Sequence, residues 1–246
     1  MRNCKRTIRS AGLAVCICSS ALAGNANAQT AGSFTVATGW LHVAPQSSAT
    51  PLTVESVGGM TVNQQVPGSG AHATATDTMG ITTEYYVTDH IGVATLIGLP
   101  LTVNLVGDGS LAKYGTLGST RPMPPAIVLR YHLLGAQSKF RPFVGLGVNY
   151  TWFTQIRTTN SQFITDNLGP GGTAHATLSS SWNPVFELGA YYAITNHWSV
   201  GASVGYVPVK THLTLDGTTA NGTQIVSRST IRINPVNVFL NVAYTF

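Results

Sequence analysis

Alternation of side chains with a period of two recurs along most of this chain and constrains its fold more than any other feature. Apolar residues occupy every second position, with few exceptions, over residues 91–105, 140–152, 198–208 and 236–246. Such alternation predicts β-strands with two different faces. The face opposite the apolar one carries mainly Gly, Ser, Thr and Asn, whereas a soluble sandwich would expose charged side chains there. The apolar face ends in aromatic residues, a pattern typical of a transmembrane β-barrel.

The composition agrees with a membrane barrel. Only 9% of the residues are charged, against about 25% in soluble domains, so a charge-coated globular enzyme is not expected. Four of the thirteen Lys and Arg residues fall within the first ten positions, so the rest of the chain carries nine basic and eight acidic residues. This near balance implies no patch for nucleic acid. Because an open sheet edge would leave backbone groups unpaired in lipid, the strands are expected to close into a ring.

The first 28 residues have the pattern of a cleaved secretory signal. A basic start leads into the short apolar stretch 11–22, and Ala26-Asn27-Ala28 places small residues at a cleavage site before Gln29. The apolar stretch is too short for a membrane anchor, which needs about 20 residues. The three cysteines all lie in this segment and lack a lipoprotein motif. The exported chain is therefore expected to contain neither a disulfide nor a thiolate site.

Residues 29–246 are predicted to form one all-β domain, an eight-stranded antiparallel barrel integral to the bacterial outer membrane. The strands are expected near residues 33–43, 74–87, 91–106, 121–134, 139–155, 177–193, 198–214 and 225–246. Long connections rich in small and polar residues are expected at 44–73, 107–120, 156–176 and 215–224. Tight turns are expected at 88–90, 135–138 and 194–197. Since the short turns of such barrels are periplasmic and the long loops extracellular, both ends of the domain would be periplasmic.

Four stretches carry motifs of a known family: Tyr86–Val93, Pro124-Pro125, Ser138–Thr151 and Asn241–Phe246. The segment Lys139-Phe-Arg-Pro-Phe-Val-Gly within the third stretch is a specific signature. With these residues the chain resembles the outer membrane protein W family, which includes alkane-uptake barrels. The resemblance implies an eight-stranded barrel whose narrow hydrophobic lumen passes small apolar molecules across the outer membrane. A C-terminal phenylalanine such as Phe246 is common among outer-membrane barrels, and the barrel-assembly machinery is expected to recognise it.

Charged residues are expected to close one end of the lumen. An eight-stranded barrel is wide enough only for its own side chains or one small ligand, which excludes a wide aqueous pore. Alternation along each strand turns four charged residues inward near the periplasmic end: Glu84, Arg130, Arg141 and Glu187. Because buried charges must pair, these residues are predicted to form a charge plug. The plug is either a network that holds the barrel in shape or a gate that opens.

Toward the outside, the inward positions are apolar or small, and Leu96, Phe143 and Phe153 are candidates for a ligand path. The resemblance implies that Leu96 is an apolar constriction and that Trp182 is its aromatic partner; the alternative for Leu96 is plain filling of the lumen. Strict alternation turns Trp182 outward, where it would be an interfacial aromatic. A bulge near Asn183-Pro184 would instead turn it into the lumen.

A ligand in a plugged lumen needs another exit. Pro100 lies in the third predicted strand, Pro208 in the seventh and Pro235 in the eighth, and each removes a ladder hydrogen bond. Pro100 resembles a proline at the same place in the family. A break in the wall there would let an apolar molecule leave sideways into the membrane. The alternative is that these prolines mark bulges or rims with no role in transport.

Enzymatic activity is not expected. None of the seven histidines lies in a nucleophile motif and no pair has metal-ligand spacing, so no catalytic residue, metal site or cofactor is predicted. The remaining alternative to transport is a structural or receptor barrel whose outer loops bind a surface, a phage or a toxin, because mobile loops serve either role. Apolar inward residues in the outer half favour transport, since a structural barrel would be filled throughout.

Overall fold

The computed structural model describes residues 29–246, and the predicted signal segment, residues 1–28, lies outside the described residues. The described part forms seventeen β-strands, one α-helix and one short 3-10 helix. No helix within it is long and apolar enough to cross a membrane.

The strands differ widely in length, from two to nineteen residues. In chain order they are β1 Phe34–Ala44, β2 Ser48–Ala49, β3 Thr53–Val57, β4 Met60–Gln65, β5 Ser69–Ala73, β6 Thr76–Tyr86, β7 Ile91–Gly98, β8 Val103–Gly109, β9 Thr116–Met123, β10 Ala126–His132, β11 Phe140–Thr158, β12 Thr173–Leu178, β13 Ser181–Ala193, β14 Trp198–Tyr206, β15 Lys210–Thr218, β16 Gln224–Arg232 and β17 Val236–Thr245. The 3-10 helix spans Ala112–Tyr114 and α1 spans Ser161–Leu168.

Eight of these strands close into a barrel. Their hydrogen-bonded order is β10-β7-β6-β1-β17-β14-β13-β11, and β10 also pairs with β11, so the ring closes on itself. Every pairing around the ring is antiparallel. The predicted all-β, eight-stranded antiparallel barrel is confirmed.

The two faces of each barrel strand differ as the alternation predicts. On β10 the side chains of Ile127, Leu129 and Tyr131 are exposed on the outer wall, whereas Val128 and Arg130 between them are buried in the lumen. Because successive side chains of a strand point to opposite faces, the same division recurs around the ring. The outer wall is therefore an apolar surface that fits a lipid environment rather than water.

Short turns join the barrel strands at one end, the turn end, and longer segments join them at the other, the loop end. Aromatic side chains ring the outer wall at the turn end. The Tyr244 ring lies 4.8 Å from that of Phe246 and 5.0 Å from that of Trp198. The backbone N–H of Phe246 donates to the carbonyl of Phe34 at 2.9 Å, which ties the chain end to β1. Aromatic girdles of this kind mark the interfaces of membrane barrels.

Five of the eight predicted strands are interrupted once, and four of the interruptions contain proline. Pro100 lies between β7 and β8, Pro124 and Pro125 lie between β9 and β10, Pro208 lies between β14 and β15, and Pro235 lies between β16 and β17. Proline has no N–H to continue a ladder, so each strand ends there. Beyond these points β12-β15-β16-β3-β4 form a separate sheet at the loop end.

The predicted long connections contain regular structure. Residues 44–73 carry four short strands, β2 to β5, and residues 156–176 carry α1. The side chain of Asn160 caps α1 by accepting a hydrogen bond of 2.7 Å from the N–H of Phe163, a common helix start. The loop end is thus a built wall around the mouth of the barrel.

Candidate functional site

A buried set of charges fills the lumen toward the turn end. Arg130 on β10 donates two hydrogen bonds to the carboxylate of Glu187 on β13, from Nε and Nη2, both of 2.9 Å. Its Nη1 donates a third, also of 2.9 Å, to Glu84 on β6. His132 Nε2 lies 2.8 Å from the other oxygen of Glu84. We call Glu84, Arg130, His132 and Glu187 the ion cluster.

Aromatic rings enclose the ion cluster. The guanidinium carbon of Arg130 lies 4.7 Å from the centre of the Phe143 ring, and its Nη1 donates to the Tyr191 hydroxyl at 3.3 Å. Phe143 stacks on Tyr191 at 5.6 Å. Only 1% of Arg130 is exposed, so its charge depends on these partners. Bidentate guanidinium–carboxylate pairs are short and directional, and together with the rings they close the lumen.

Two glycines on the surrounding strands make room for the carboxylates. A Cβ at position 92 on β7 would lie 2.2 Å from Oε1 of Glu84. A Cβ at position 145 on β11 would lie 2.8 Å from the Val128 side chain and 3.1 Å from Cβ of Glu187. Small residues on the inner face therefore allow the bulky ion cluster to fit within a narrow ring.

Arg141 is buried at the same end of the lumen, as predicted, but its hydrogen bonds go to oxygen atoms of Leu134, Gln29 and Asp89 rather than to Glu84 or Glu187, so the expected pairing with a carboxylate is not found. Its guanidinium donates to the backbone carbonyl and side chain of Gln29 at 2.8 and 3.0 Å, and to the carbonyl of Asp89. It also lies over the Tyr86 ring, 5.4 Å from its centre. Arg141 thus forms a second layer that ties the start of the described chain and a turn to the end of the barrel. All of its hydrogen-bond acceptors are neutral oxygen atoms of the backbone and of the Gln29 side chain.

An apolar cavity of about 260 Å³ occupies the lumen beyond the ion cluster and continues between the strands at the loop end. Its walls include the side chains of Leu41, Leu96, Phe153, Val185, Val207 and Phe239. Glu187, already bound by Arg130, lies at its inner limit. Among residues 29–246, no group of three His, Asp or Glu side chains is placed to hold a metal ion. The arrangement suits a small apolar molecule that enters from the loop end.

The barrel wall is unpaired beside Pro100. The β7–β10 ladder stops at Leu96 opposite Ala126, and the β8–β9 ladder begins at Val103 opposite Thr120. Within the described chain, no ladder pairing joins residues 99–102 to 121–125. We call these two segments, 99–102 and 121–125, which do not pair with each other, the wall break. Next to the β8–β9 ladder, one side-chain hydrogen bond joins them, from Nε of Arg121 to Oγ1 of Thr102 at 3.2 Å. Leu99 and Leu101, on either side of Pro100, line the cavity.

The junction at Pro208 and Pro235 differs from the wall break. There the N–H of Val207 donates to the carbonyl of Pro235 at 3.2 Å, and the N–H of Ile233 donates to the carbonyl of Val209 at 2.9 Å. These two bonds keep the seventh and eighth predicted strands joined on both sides of the prolines. The missing N–H of a proline therefore opens the wall only where the adjacent residues also make no backbone hydrogen bond to the facing strand.

The model of the OmpW family matches residues 30–246. The chain belongs to the OmpW family. Outer membrane protein W of Escherichia coli strain K12 is 30% identical over 229 residues, which cover 92% of this chain and 93% of that protein. The fold and the family together make this protein an integral outer-membrane barrel.

Two further comparisons concern a solved structure and a second relative. The crystal structure of the outer membrane protein OprG from Pseudomonas aeruginosa superimposes with a TM-score of 0.78 at 24% identity, covering 89% of this chain and 98% of that chain. The "Dibenzothiophene metabolism operon protein PahQ" of Pseudomonas aeruginosa is 28% identical over 149 residues, which cover 60% of this chain and 64% of that protein. The barrel architecture is thus shared with a solved outer membrane protein. Because the short turns of outer-membrane barrels face the periplasm, we expect the turn end to be the periplasmic end.

The predicted path residues fall into three places. Leu96 and Phe153 line the cavity as expected. Phe143 is buried against Arg130 in the ring layer around the ion cluster, so its assignment to the ligand path is wrong. Pro100 lies in the wall break, between two residues that line the cavity. The cavity therefore begins above Phe143 rather than beside it.

Trp182 lies on the outer wall, and its predicted place as a lumenal partner of Leu96 is wrong. Its side chain is 73% exposed and its ring lies 4.8 Å from that of Tyr150. The ladder between β11 and β13 runs without a register shift from Phe140 opposite Tyr192 to Thr151 opposite Ser181. Because no bulge intervenes in this ladder, the alternation that turns Trp182 outward is preserved.

Two side chains at the closed end of the lumen, His132 and Tyr191, were not among the predicted site residues. His132 bonds Glu84, and Tyr191 bonds Arg130. Their positions were readable from the alternation, since His132 is two residues from Arg130 and Tyr191 is four residues from Glu187 on the same inner face. Because Tyr191 carries no formal charge, the pattern of inward charged residues does not include it.

Proposed function

We propose that this barrel takes small apolar molecules from outside into its cavity and releases them sideways into the membrane through the wall break beside Pro100. The observation that carries the proposal is the cavity itself, which is apolar, reaches the loop end and stops at the ion cluster. A narrow eight-stranded ring of this kind has room for one small ligand and none for bulk water.

Entry of an apolar molecule into the cavity is favourable because its surface leaves water. Burial contributes about 0.8 kcal/mol for each CH₂ group, so even a medium-chain molecule gains several kcal/mol. Passage straight on to the periplasm would require breaking the three Arg130 bonds to Glu84 and Glu187. An apolar molecule offers no replacement hydrogen bonds for those charges. Continued movement toward the periplasm is therefore disfavoured.

The sideways route requires less rearrangement. Residues 99–102 face residues 121–125 without ladder pairing. Leu99 in this stretch lines the cavity and is nevertheless 48% exposed. A ligand leaving there passes from an apolar cavity into the apolar interior of the membrane. The name of the relative PahQ, which places it in a dibenzothiophene metabolism operon, supports an apolar cargo.

A receptor role is the second candidate and rests on β4. This strand is the edge of the loop-end sheet, and all six of its residues are exposed. An open, exposed edge strand is a template for pairing with another chain. A surface, phage or toxin protein would bind there without any need for the cavity.

The test is uptake of a labelled medium-chain alkane by intact cells with and without the protein, with a sugar of similar size as the control. We expect a selective rise in alkane uptake. The Leu96→Arg variant should remove this rise because its charge enters the cavity, whereas Leu96→Met should keep it. A rise for both tracers would contradict the closed lumen, and no rise for either would favour the receptor role.

A further inference from the structure

Two polar side chains at the inner limit of the cavity have no hydrogen-bond partner among the described residues. Asn237 on β17 and Ser203 on β14 both line the cavity beside Glu187. Oδ1 of Asn237 is fully enclosed and unpaired, and Ser203 is buried. Gly205 lies between Glu187 and Asn237 in the sheet, as the ladder partner of both, and it has no side chain to fill the space beside Asn237.

Of the other polar side chains that line the cavity, Asn149 and Thr151 are paired within the protein, whereas Oγ1 of Thr158 at the loop end is enclosed and has no partner. Asn149 and Thr151, which line the cavity from β11, bond each other at 2.5 Å, and the Asn149 amide donates to the carbonyl of Pro125 at 3.1 Å. Both carboxylate oxygens of Glu187 are taken by Arg130. A buried polar group without a partner is destabilising. The closed end of this mainly apolar cavity therefore holds two polar side chains, Asn237 and Ser203, whose hydrogen-bonding capacity the protein does not use.

We propose that the cavity is built for an apolar molecule with one terminal hydroxyl, an aliphatic primary alcohol, held with its hydroxyl on Asn237 and Ser203 and its chain toward the loop end. This rests on the proposed function and names its ligand class. A hydroxyl both donates and accepts, as does the Asn237 amide, whose final torsion is broad and can present either atom. The Ser203 hydroxyl matches either role.

The charges below the cavity select against an acid of the same length. Glu187, the carboxylate at the inner limit of the cavity, already binds the Arg130 guanidinium with both of its oxygen atoms, so that guanidinium is not free for a ligand acid. A ligand carboxylate next to Glu187 would be repelled in these surroundings of low dielectric. A neutral hydroxyl has no such penalty. An alkane fits the walls but leaves Asn237 and Ser203 unpaired.

The experiment compares octanol, octane and octanoate as labelled tracers at concentrations far below saturation, in intact cells with the full-length protein. Protein-dependent uptake should be highest for octanol and lowest for octanoate. Asn237→Leu should lower octanol uptake about five- to tenfold, the loss of roughly one hydrogen bond, and leave octane uptake unchanged. Ser203→Ala should act in the same direction with a smaller effect.

Asn241→Leu is the matched control. Asn241 lies on the same face of the same strand, and its Oδ1 is also buried without a partner. It sits opposite Gly201, close to Tyr191, and does not line the cavity. If Asn237→Leu leaves the octanol-to-octane ratio unchanged, or Asn241→Leu changes it equally, the alcohol proposal is overturned while transport stands. If neither tracer enters, both proposals are overturned.

A second measurement needs no variant. In the protein reconstituted in lipid, the NMR signal of the Asn237 side-chain amide should shift on addition of octanol and remain in place on addition of octane. An equal response to both, or no response to octanol, would contradict a hydroxyl on Asn237 even if the variants fold poorly.

Discussion

At the scale of single residues, Arg130 determines how the closed end of the lumen is held. It is the common partner of Glu84 and Glu187, and it stacks on Phe143. A buried cluster of this kind adds little net stability compared with well-packed apolar residues, but removal of one member leaves an uncompensated buried charge. The network therefore specifies which side chains meet, rather than supplying most of the stability.

The variant Arg130→Met should lower the free energy of unfolding by about 3–5 kcal/mol, because two carboxylates remain buried without a cation. Urea unfolding of the protein in lipid vesicles, followed by tryptophan fluorescence, measures this change. The control is the same substitution combined with Glu84→Gln and Glu187→Gln, which should restore most of the lost stability. A loss below about 1 kcal/mol in Arg130→Met would contradict the network.

At the scale of elements, proline positions divide the long strands into a barrel part and a loop-end part. The consequence depends on the neighbouring backbone. Around Pro208 and Pro235 two hydrogen bonds carry the wall across the break, whereas beside Pro100 the facing residues include Pro124 and Pro125, which have no N–H to donate. The facing segments 99–102 and 121–125 contain four prolines, Pro100, Pro122, Pro124 and Pro125, and none of the four has an N–H with which to close this part of the wall.

The variant Pro100→Val should reduce uptake of an apolar tracer several-fold, because valine restores an N–H and a strand-forming side chain at the wall break. Uptake by intact cells, normalised to the amount of folded barrel, measures the effect. Pro208→Val is the matched control and should leave uptake unchanged, since its junction is already bridged. Unchanged uptake in Pro100→Val would count strongly against the sideways exit.

At the scale of the whole molecule, the small strand number and the filled periplasmic end together separate this barrel from an aqueous pore. The closed end contains the ion cluster and three buried aromatic rings, those of Tyr86, Phe143 and Tyr191. The rings fill the lumen independently of charge. The ion cluster is thus expected to hold the barrel in shape rather than to act as a gate.

The double variant Glu84→Gln with Glu187→Gln should show no rise in ion conductance across a planar lipid bilayer, because the aromatic rings still occupy the lumen. The conductance of the unaltered protein in the same bilayer is the reference. A clear rise in the variant would mean that the carboxylate–guanidinium bonds alone keep the path closed, and the ion cluster would then be a gate.

Sequence alone determined the all-β class, the eight strands, the facing of nearly every barrel side chain and the inward charges, because alternation with period two converts position directly into inside or outside. It also brought Glu84, Arg130 and Glu187 to the same end of the lumen. Those properties are local to each strand, and no partner strand is needed to deduce them. The outward position of Trp182 follows from the same rule.

Tertiary structure decided what depends on the register between strands. The register sets the height of each charged side chain in the lumen. As a result Arg130 binds the carboxylates of Glu84 and Glu187, whereas Arg141 binds oxygen atoms of Gln29 and Asp89. The same register places Phe143 in the closed layer, leaves Asn237 unpaired in the cavity and ends the ladders on both sides of Pro100. Each of these results needs two or more strands to be aligned, and alignment is set by the closure of the whole ring.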